Sequence, residues 1–146
     1  MRGLGGEHVQ AAVQQAMLGV DSGDVRIGLA LKPVESAHAE ALEVIANDQH
    51  AFGRIEQLAE EFDAESIVVG LPRDINGNET AQTRKAREFA GDLADATGLH
   101  IVLHDEFSTS ERARERLGTM SRDEAKRRLD AVAAAVLLED YMGSLR

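Results

Sequence analysis

Apolar residues recur along the chain with two different spacings, and together these spacings predict a mixed α/β fold. Short apolar runs bounded by polar or glycine-containing turns indicate β-strands. Because only the turn Asp21-Ser22-Gly23-Asp24 separates the first two runs, we expect them to pair as a hairpin. The predicted strands span residues 17–21, 25–31, part of 41–46, 66–71, and 101–103 with its flanks.

Longer segments with apolar residues three or four positions apart predict helices between and after these strands. Ser121 is followed three residues later by Glu124, a pattern typical of a capping box at a helix start. A hairpin followed by alternating strands and helices indicates a mixed sheet flanked by helices. The predicted helices span residues 51–62, 79–96, 109–117 and 121–142.

The length of 146 residues suits one domain, and the sequence contains no internal repeat and no linker. We therefore assign residues 17–146 to a single domain. Residues 1–16 carry no strong pattern and are interpreted as an N-terminal extension, either a short helix or a flexible leader.

The composition restricts the chemistry that the chain can perform. There are no cysteines, which excludes disulfides, thiolate metal sites and cysteine nucleophiles and fits a reducing compartment. No stretch approaches the roughly 18 apolar residues that span a bilayer, and the N-terminus lacks the apolar run of a signal peptide. We therefore expect a cytoplasmic protein with no membrane partner.

The formal net charge of −10 argues against a nucleic-acid partner, but the charges are unevenly distributed. Between Arg112 and Arg128 the sequence holds seven basic and three acidic side chains. Such a segment could bind a phosphate backbone, with strong salt dependence. Equally, these arginines could form a solvated helix face whose charges pair within the helix.

Four acidic residues lie at the ends of predicted apolar strands or within a predicted apolar helix. Asp21 ends the first strand, Asp105 and Glu106 follow the last strand, and Asp130 lies in a largely apolar helix, where a carboxylate is costly to bury unless it is paired or bound to metal. Carboxylate oxygens are ligands of hard cations, and two such ions can drive phosphodiester hydrolysis without a side-chain nucleophile. Spacing alone leaves open whether these acids share one site or lie separately on the surface.

Several segments resemble, in order, four motifs of the YqgF/RuvX family. No motif needs an internal gap, and the resemblance covers about residues 17–142. The segments are LGVDSG (18–23) with RIGLA (26–30), IVVGLP (67–72) with NGNE (76–79), LHDE (103–106), and LDAVAA (129–134) with LEDY (138–141).

The resemblance implies an RNase H-like fold, a five-stranded mixed sheet with helices on both faces. It implies that Asp21, Glu106 and Asp130 are the catalytic carboxylates and hold Mg²⁺ or Mn²⁺ in a two-metal site, with Asp105 as a neighbouring candidate ligand. Because side chains alternate along a strand, only one of Asp105 and Glu106 can easily face the cleft. Members of the family are described as nucleases that mature the 5′ end of pre-16S rRNA or as Holliday junction resolvases. The expected partner is therefore nucleic acid, either structured precursor rRNA or branched DNA.

Candidate substrate-binding residues are polar or basic side chains near these motifs. Each has a second interpretation, because surface charges are often merely solvated and Thr109 is equally suited to cap a helix. His104 could act as a general acid or a metal ligand, or be structural. The candidates are Arg26, Arg73, Asn76, Arg84, Thr109, Arg112 and Arg127.

Three positions depart from the family pattern and keep other functions open. The family usually has arginine and then a hydrophobic residue after the Asp-Glu pair, where this chain has Phe107 and Ser108, and a basic residue at the position of Val25. The net charge of −10 and the missing arginine at position 107 favour a module that binds nucleic acid or a protein without cutting, whereas retention of the three acids favours a nuclease. A junction resolvase would require a symmetric homodimer, whereas an rRNA nuclease could be a monomer.

Overall fold

The computed structural model describes residues 10–106, 109–118 and 121–145, with side chains described at all of these except 109–111. In this part of the chain, one five-stranded sheet has the order β3-β2-β1-β4-β5. β1 runs antiparallel to β2 and parallel to β4, so the predicted hairpin and mixed sheet are confirmed. The strands are β1 (Ala16–Ser22), β2 (Arg26–Lys32), β3 (Glu40–Ala46), β4 (Ala64–Pro72) and β5 (Ile101–Glu106).

Helices cover both faces of the sheet, as predicted. The first two helices pack on one face, the last and longest helix lies across the other, and the third packs against the last. The last helix is buried on several sides because it lies between the sheet and the third helix. The helices are α1 (Ala51–Glu61), α2 (Ala81–Thr97), α3 (Thr109–Leu117) and α4 (Arg122–Ser144).

Alternation along the strands assigns each side chain to one of the two faces. In β1, Leu18 and Val20 belong to the cluster under α1 and α2, whereas Met17 belongs to the cluster under α4. Asp21 has the parity of Met17 and therefore shares the α4 face. In β5, Val102 packs in the α4 cluster, so Glu106 faces α4 as well.

The helix starts differ slightly from the sequence prediction. The helix predicted from residue 79 begins at Ala81, because Thr80 and Thr83 form a reciprocal capping box in front of it. At the start of α4, the Ser121 hydroxyl accepts a hydrogen bond from the Glu124 backbone N–H at 3.3 Å, which is the N-cap half of the predicted capping box. The hydroxyl of Thr83 also donates to the Pro72 carbonyl, which fastens α2 to the end of β4.

The segment before β1 is attached to the sheet by a buried lysine. Residues 10–14 are helical, and Ala12 packs in the cluster under α4. Lys32 is fully buried, and its ammonium group donates to the carbonyls of Val13, Pro33 and Ser36 at 3.0, 2.7 and 2.8 Å. Burial lowers the pKa of Lys32. The proposed domain boundary at residue 17 stays a prediction.

None of the helices among the described residues has the length and apolar character needed to cross a membrane.

Candidate active site

Asp21 lies near the end of β1, opposite Gly28 of β2 in the hairpin register. The pKa of Asp21 is raised well above its ordinary value of 3.8, first because the carboxyl is buried. The negative charges of Glu106 and Asp130 raise it further, as does the hydrogen bond that protonated Asp21 donates to Glu106. The three carboxylates predicted to act together are therefore close enough to interact electrostatically.

Glu106 ends β5 and is buried, with 8% of its surface exposed. Its carboxylate lies against Gly70 of the neighbouring strand β4, where a Cβ would stand 2.8 Å from Oε2 of Glu106. Any side chain at position 70 would have to displace that carboxylate. Gly70 thus provides the space in which Glu106 faces Asp21.

Asp130 comes from α4, and its position depends on a second glycine. The Asp130 carbonyl lies directly over Gly28, where a Cβ would overlap it. The contact lets the helix approach β2 closely enough to bring Asp130 beside Asp21. The Oδ2 atom of Asp130 accepts a hydrogen bond from Nε of Arg26 at 2.9 Å, and these side chains are 27% and 55% exposed.

Asp105 lies on the opposite face of β5 from Glu106, as alternation requires. Its Oδ1 accepts hydrogen bonds from Nε and Nη2 of Arg73 at 3.0 and 2.9 Å. Arg73 also approaches Glu79 at 3.5 Å, and Glu79 in turn accepts two hydrogen bonds from Arg87. Arg73 is only 17% exposed, so it is a buried part of a charge network rather than a solvated surface cation.

The segment from residue 73 to 79 is a closed loop at this edge of the sheet. Arg73 and Glu79 form an isolated β-bridge, and Asp74 Oδ1 accepts the backbone N–H groups of Asn76 and Asn78 at 2.9 and 2.8 Å. Gly77 has φ of 81°, a conformation that favours glycine. The loop holds Asn76 exposed, next to the carboxyl ends of β4 and β5.

The other substrate-binding candidates lie on three different helices. Arg84 and Arg127 are exposed on α2 and α4. Arg112 pairs with Asp140 of α4 at 3.4 Å, and Arg116 pairs with Glu139 at 2.9 Å. Both arginines therefore form ion pairs between α3 and α4.

Some sequence-based candidates fall in other settings. His104 approaches Asp140 at 3.1 Å and packs edge-on against Tyr141, which agrees with a structural role. Asp24 of the hairpin turn, which is not among the predicted site residues, accepts a hydrogen bond from Gln82 and pairs with Lys85 at 3.2 Å, and both contacts lower its pKa. Phe107, Ser108 and the side chain of Thr109 lie outside the described residues.

The roles of Gly28 and Gly70 were not predicted from the sequence, although both belong to motif segments. A glycine inside a strand weakens it, and often marks a place where another chain segment or a ligand approaches closely. That signal was present in both strands. The group that approaches Gly28 belongs to Asp130, 102 positions away, and the group that approaches Gly70 belongs to Glu106, 36 positions away. Because these partners are so distant in sequence, the contacts themselves could not be predicted.

The oxygen-rich character of the site suits a hard divalent cation, with Asp21, Glu106 and Asp130 as donors. The pKa of Asp21 is raised first by burial and then by the charges of Glu106 and Asp130, and a bound cation would offset the cost of ionising Asp21 there. Within the described ranges, no three acidic or histidine side chains are close enough to chelate one ion as they stand. Asp130 is instead held by Arg26.

Solved structures with the same architecture define the class of the protein. RuvC of T. thermophilus in complex with a Holliday junction substrate superposes with a TM-score of 0.54 at 21% identity, over 89% of this chain and 97% of that one. A Fowlpox virus resolvase superposes with a TM-score of 0.51 at 11% identity, over 89% and 98%. At these identities the likeness shows the fold alone, and that fold is RNase H-like.

The chain belongs to the RuvX family, whose model, described as "Holliday junction resolvase", matches residues 15–144. Relatives named "Putative pre-16S rRNA nuclease" include one from Bordetella pertussis, 39% identical over 134 residues (90% of this chain, 96% of the relative). Another, from Orientia tsutsugamushi, is 35% identical over 137 residues (91% and 87%). The family resemblance of the sequence motifs is thereby confirmed, and the protein is a nuclease of the RNase H-like class.

Proposed function

We propose that the protein is a divalent-metal-dependent endonuclease that processes the 5′ end of pre-16S rRNA in the cytoplasm. The observation that carries the proposal is the environment of Asp21. Its carboxyl is buried beside the charges of Glu106 and Asp130, and its pKa is raised as a result. Proteins rarely gather buried acids in this way unless a cation or a catalytic role requires it. The name shared by its relatives supports the rRNA substrate.

Asp21, Glu106 and Asp130 would hold Mg²⁺ or Mn²⁺, in a site for two ions. Such ions, when bound, activate water for attack on a phosphodiester and stabilise the departing oxygen. The protein's own contribution is geometric. Gly70 leaves room for the Glu106 carboxylate, and Gly28 lets α4 carry Asp130 to the sheet.

Cations for the substrate backbone are available close to this cluster. Lys126 and Arg127 lie four and three residues before Asp130, hence on the same side of α4. Both are exposed, and neither has an ion-pair partner within the described part of the chain. They would contact phosphates of the substrate backbone, so substrate binding should weaken steeply with salt.

The proposal is tested by incubating the protein with a labelled pre-16S rRNA 5′ leader in Mg²⁺, Mn²⁺ or EDTA. Wild type should cut the leader with either ion and not in EDTA. Asp21→Asn and Asp130→Asn should each abolish cleavage, since each removes one charged donor. Asp92→Asn is the matched control, because Asp92 is an exposed carboxylate on α2 and its loss changes the net charge equally. Cleavage that persists in Asp21→Asn would contradict the proposed mechanism.

A second candidate is resolution of a Holliday junction, which the description of the matching family favours. The same assay therefore includes a labelled four-way DNA junction. Symmetric nicking of that junction by a homodimer, with no cleavage of the RNA leader, would replace the rRNA proposal with this one.

A further inference from the structure

Arg26 occupies an unusual position for a substrate-binding residue, because its charge is already committed to a catalytic candidate. Its Nε donates to Oδ2 of Asp130 at 2.9 Å. A cation is therefore already in contact with one of the three carboxylates expected to bind metal. The inference below rests on the proposed metal-dependent function.

The strand geometry directs Arg26 to this partner. Arg26 opens β2, and Gly28, two residues later, has the parity that faces α4. Since the Asp130 carbonyl lies over Gly28, the backbone on both sides of the ion pair is held by packing. Only the two side chains are free to rearrange.

The ion pair is also weak enough to be exchanged. The Arg26 side chain is 55% exposed and that of Asp130 is 27% exposed. Exposed ion pairs contribute little to stability, because water screens the charges and ordering the side chains has an entropic cost. A divalent ion among three carboxylates would interact with all of them, whereas the guanidinium contacts one.

We propose that Arg26 is the counter-ion of Asp130 in the metal-free protein and that divalent metal displaces it toward the substrate. While the guanidinium holds Asp130, that carboxylate is withheld from a metal. Once a metal replaces it, Arg26 is free at the rim of the site to contact a phosphate. Metal binding and nucleic-acid binding are then coupled through one side chain, and the coupling acts equally in both directions.

The first test measures Mn²⁺ binding by titration calorimetry, with no nucleic acid and no turnover. Arg26→Gln should bind Mn²⁺ about two- to fivefold more tightly than wild type, since the exchanged ion pair is an exposed one. Arg26→Lys, which keeps the positive charge, should stay close to wild type. Arg54→Gln is the matched control, because this substitution removes the same charge and a similar ion pair. The partner of Arg54 is Glu43, which is not one of the three acids.

The second test measures the affinity for the labelled pre-16S rRNA 5′ leader with and without Ca²⁺, and binding is read out with no need for cleavage. Calcium should tighten binding more in wild type than in Arg26→Gln, because only wild type releases a guanidinium. Equal tightening in the two proteins would overturn the coupling.

The outcomes separate this inference from the proposed function. If wild type binds Mn²⁺ but Arg26→Gln binds it no more tightly, or Arg54→Gln gains as much, the counter-ion role is wrong and the nuclease proposal stands. If wild type binds no Mn²⁺ at all, the metal-dependent function fails, and this inference fails with it.

Discussion

Gly28 of β2 lies beneath Asp130 of α4 so closely that a Cβ at position 28 would overlap the Asp130 carbonyl. Gly28 is also the cross-strand partner of Asp21. One glycine therefore sets the distance between α4, which carries Asp130, and β2, the strand paired with the one that carries Asp21. The packing of α4 and the geometry of the site are thus linked at a single position.

Gly28→Ala should push α4 away from the sheet and separate Asp130 from Asp21. Because the clash is with backbone, we expect a stability loss of about 3 kcal/mol, the upper range for overpacking. Urea denaturation measures the loss, and Mn²⁺ calorimetry should show weaker binding. Gly53→Ala is the control, since nothing lies within 4 Å of its added Cβ in α1 and alanine should stabilise that helix by about 0.5–1 kcal/mol. A Gly28→Ala protein with wild-type stability would refute the close packing.

Gly70→Ala should disturb the site with a smaller effect on the fold. Its Cβ would meet the Glu106 carboxylate at 2.8 Å and Leu137 Cδ2 at 3.2 Å, both of which are side-chain atoms that can shift. We expect a loss of about 1–2 kcal/mol in stability and a larger proportional loss of cleavage rate. Gly91→Ala in α2, where the added Cβ meets nothing within 4 Å, should keep full activity. Unchanged kcat in Gly70→Ala would argue against a catalytic position for Glu106.

Asp21→Asn should inactivate the enzyme and stabilise the metal-free fold. The folded-state pKa of Asp21 is raised above the ordinary value of 3.8, so the folded protein holds this proton more tightly than the unfolded chain does. The associated stability is fully present below pH 3.8 and is lost as pH rises through the folded-state pKa. The uncharged amide of the Asp21→Asn variant has no such loss at neutral pH. We therefore expect the free energy of unfolding of Asp21→Asn to exceed that of wild type by about 1 kcal/mol, since active-site residues are often kept at a cost in stability.

Thermal unfolding from pH 4 to 8 without metal tests this prediction. The Tm difference between Asp21→Asn and wild type should widen with pH. The control Asp92→Asn should follow the wild-type profile. A difference that narrows as pH rises would contradict the raised pKa. Adding Mn²⁺ should stabilise wild type and leave Asp21→Asn nearly unchanged, because a ligand that binds the folded state raises its stability.

Asp105→Asn should leave metal binding nearly intact although it neighbours Glu106 in sequence. Its carboxylate pairs with Arg73 on the other face of the strand. We expect an Mn²⁺ affinity within about twofold of wild type, and a stability loss of about 0.5–1 kcal/mol because Asp105 is half exposed. Calorimetry and urea denaturation measure the two effects. A loss of Mn²⁺ binding as large as that in Asp21→Asn would instead make Asp105 a ligand.

Much of the fold could be predicted from the sequence because its determinants are local. Alternation and helical spacing are read over a few neighbouring residues, so the order of strands and helices and the hairpin at Asp21 were predicted correctly. Boundaries shifted where capping decided them, as at Thr80. The same alternation predicted that only one of Asp105 and Glu106 would face the cleft; alternation could not say which, and only the family resemblance implied Glu106.

The sequence by itself determined the mixed α/β order, the strand and helix positions of the three acids and, through its motifs, the family. Only the tertiary structure decided that Arg26 pairs with Asp130, that Arg112 and Arg116 pair with acids of α4, and that α4 is the element facing Glu106. These contacts join residues 23 to 104 positions apart. They depend on how closely α4 packs on the sheet, and that distance is set by side-chain volumes at positions such as Gly28, which no local pattern encodes.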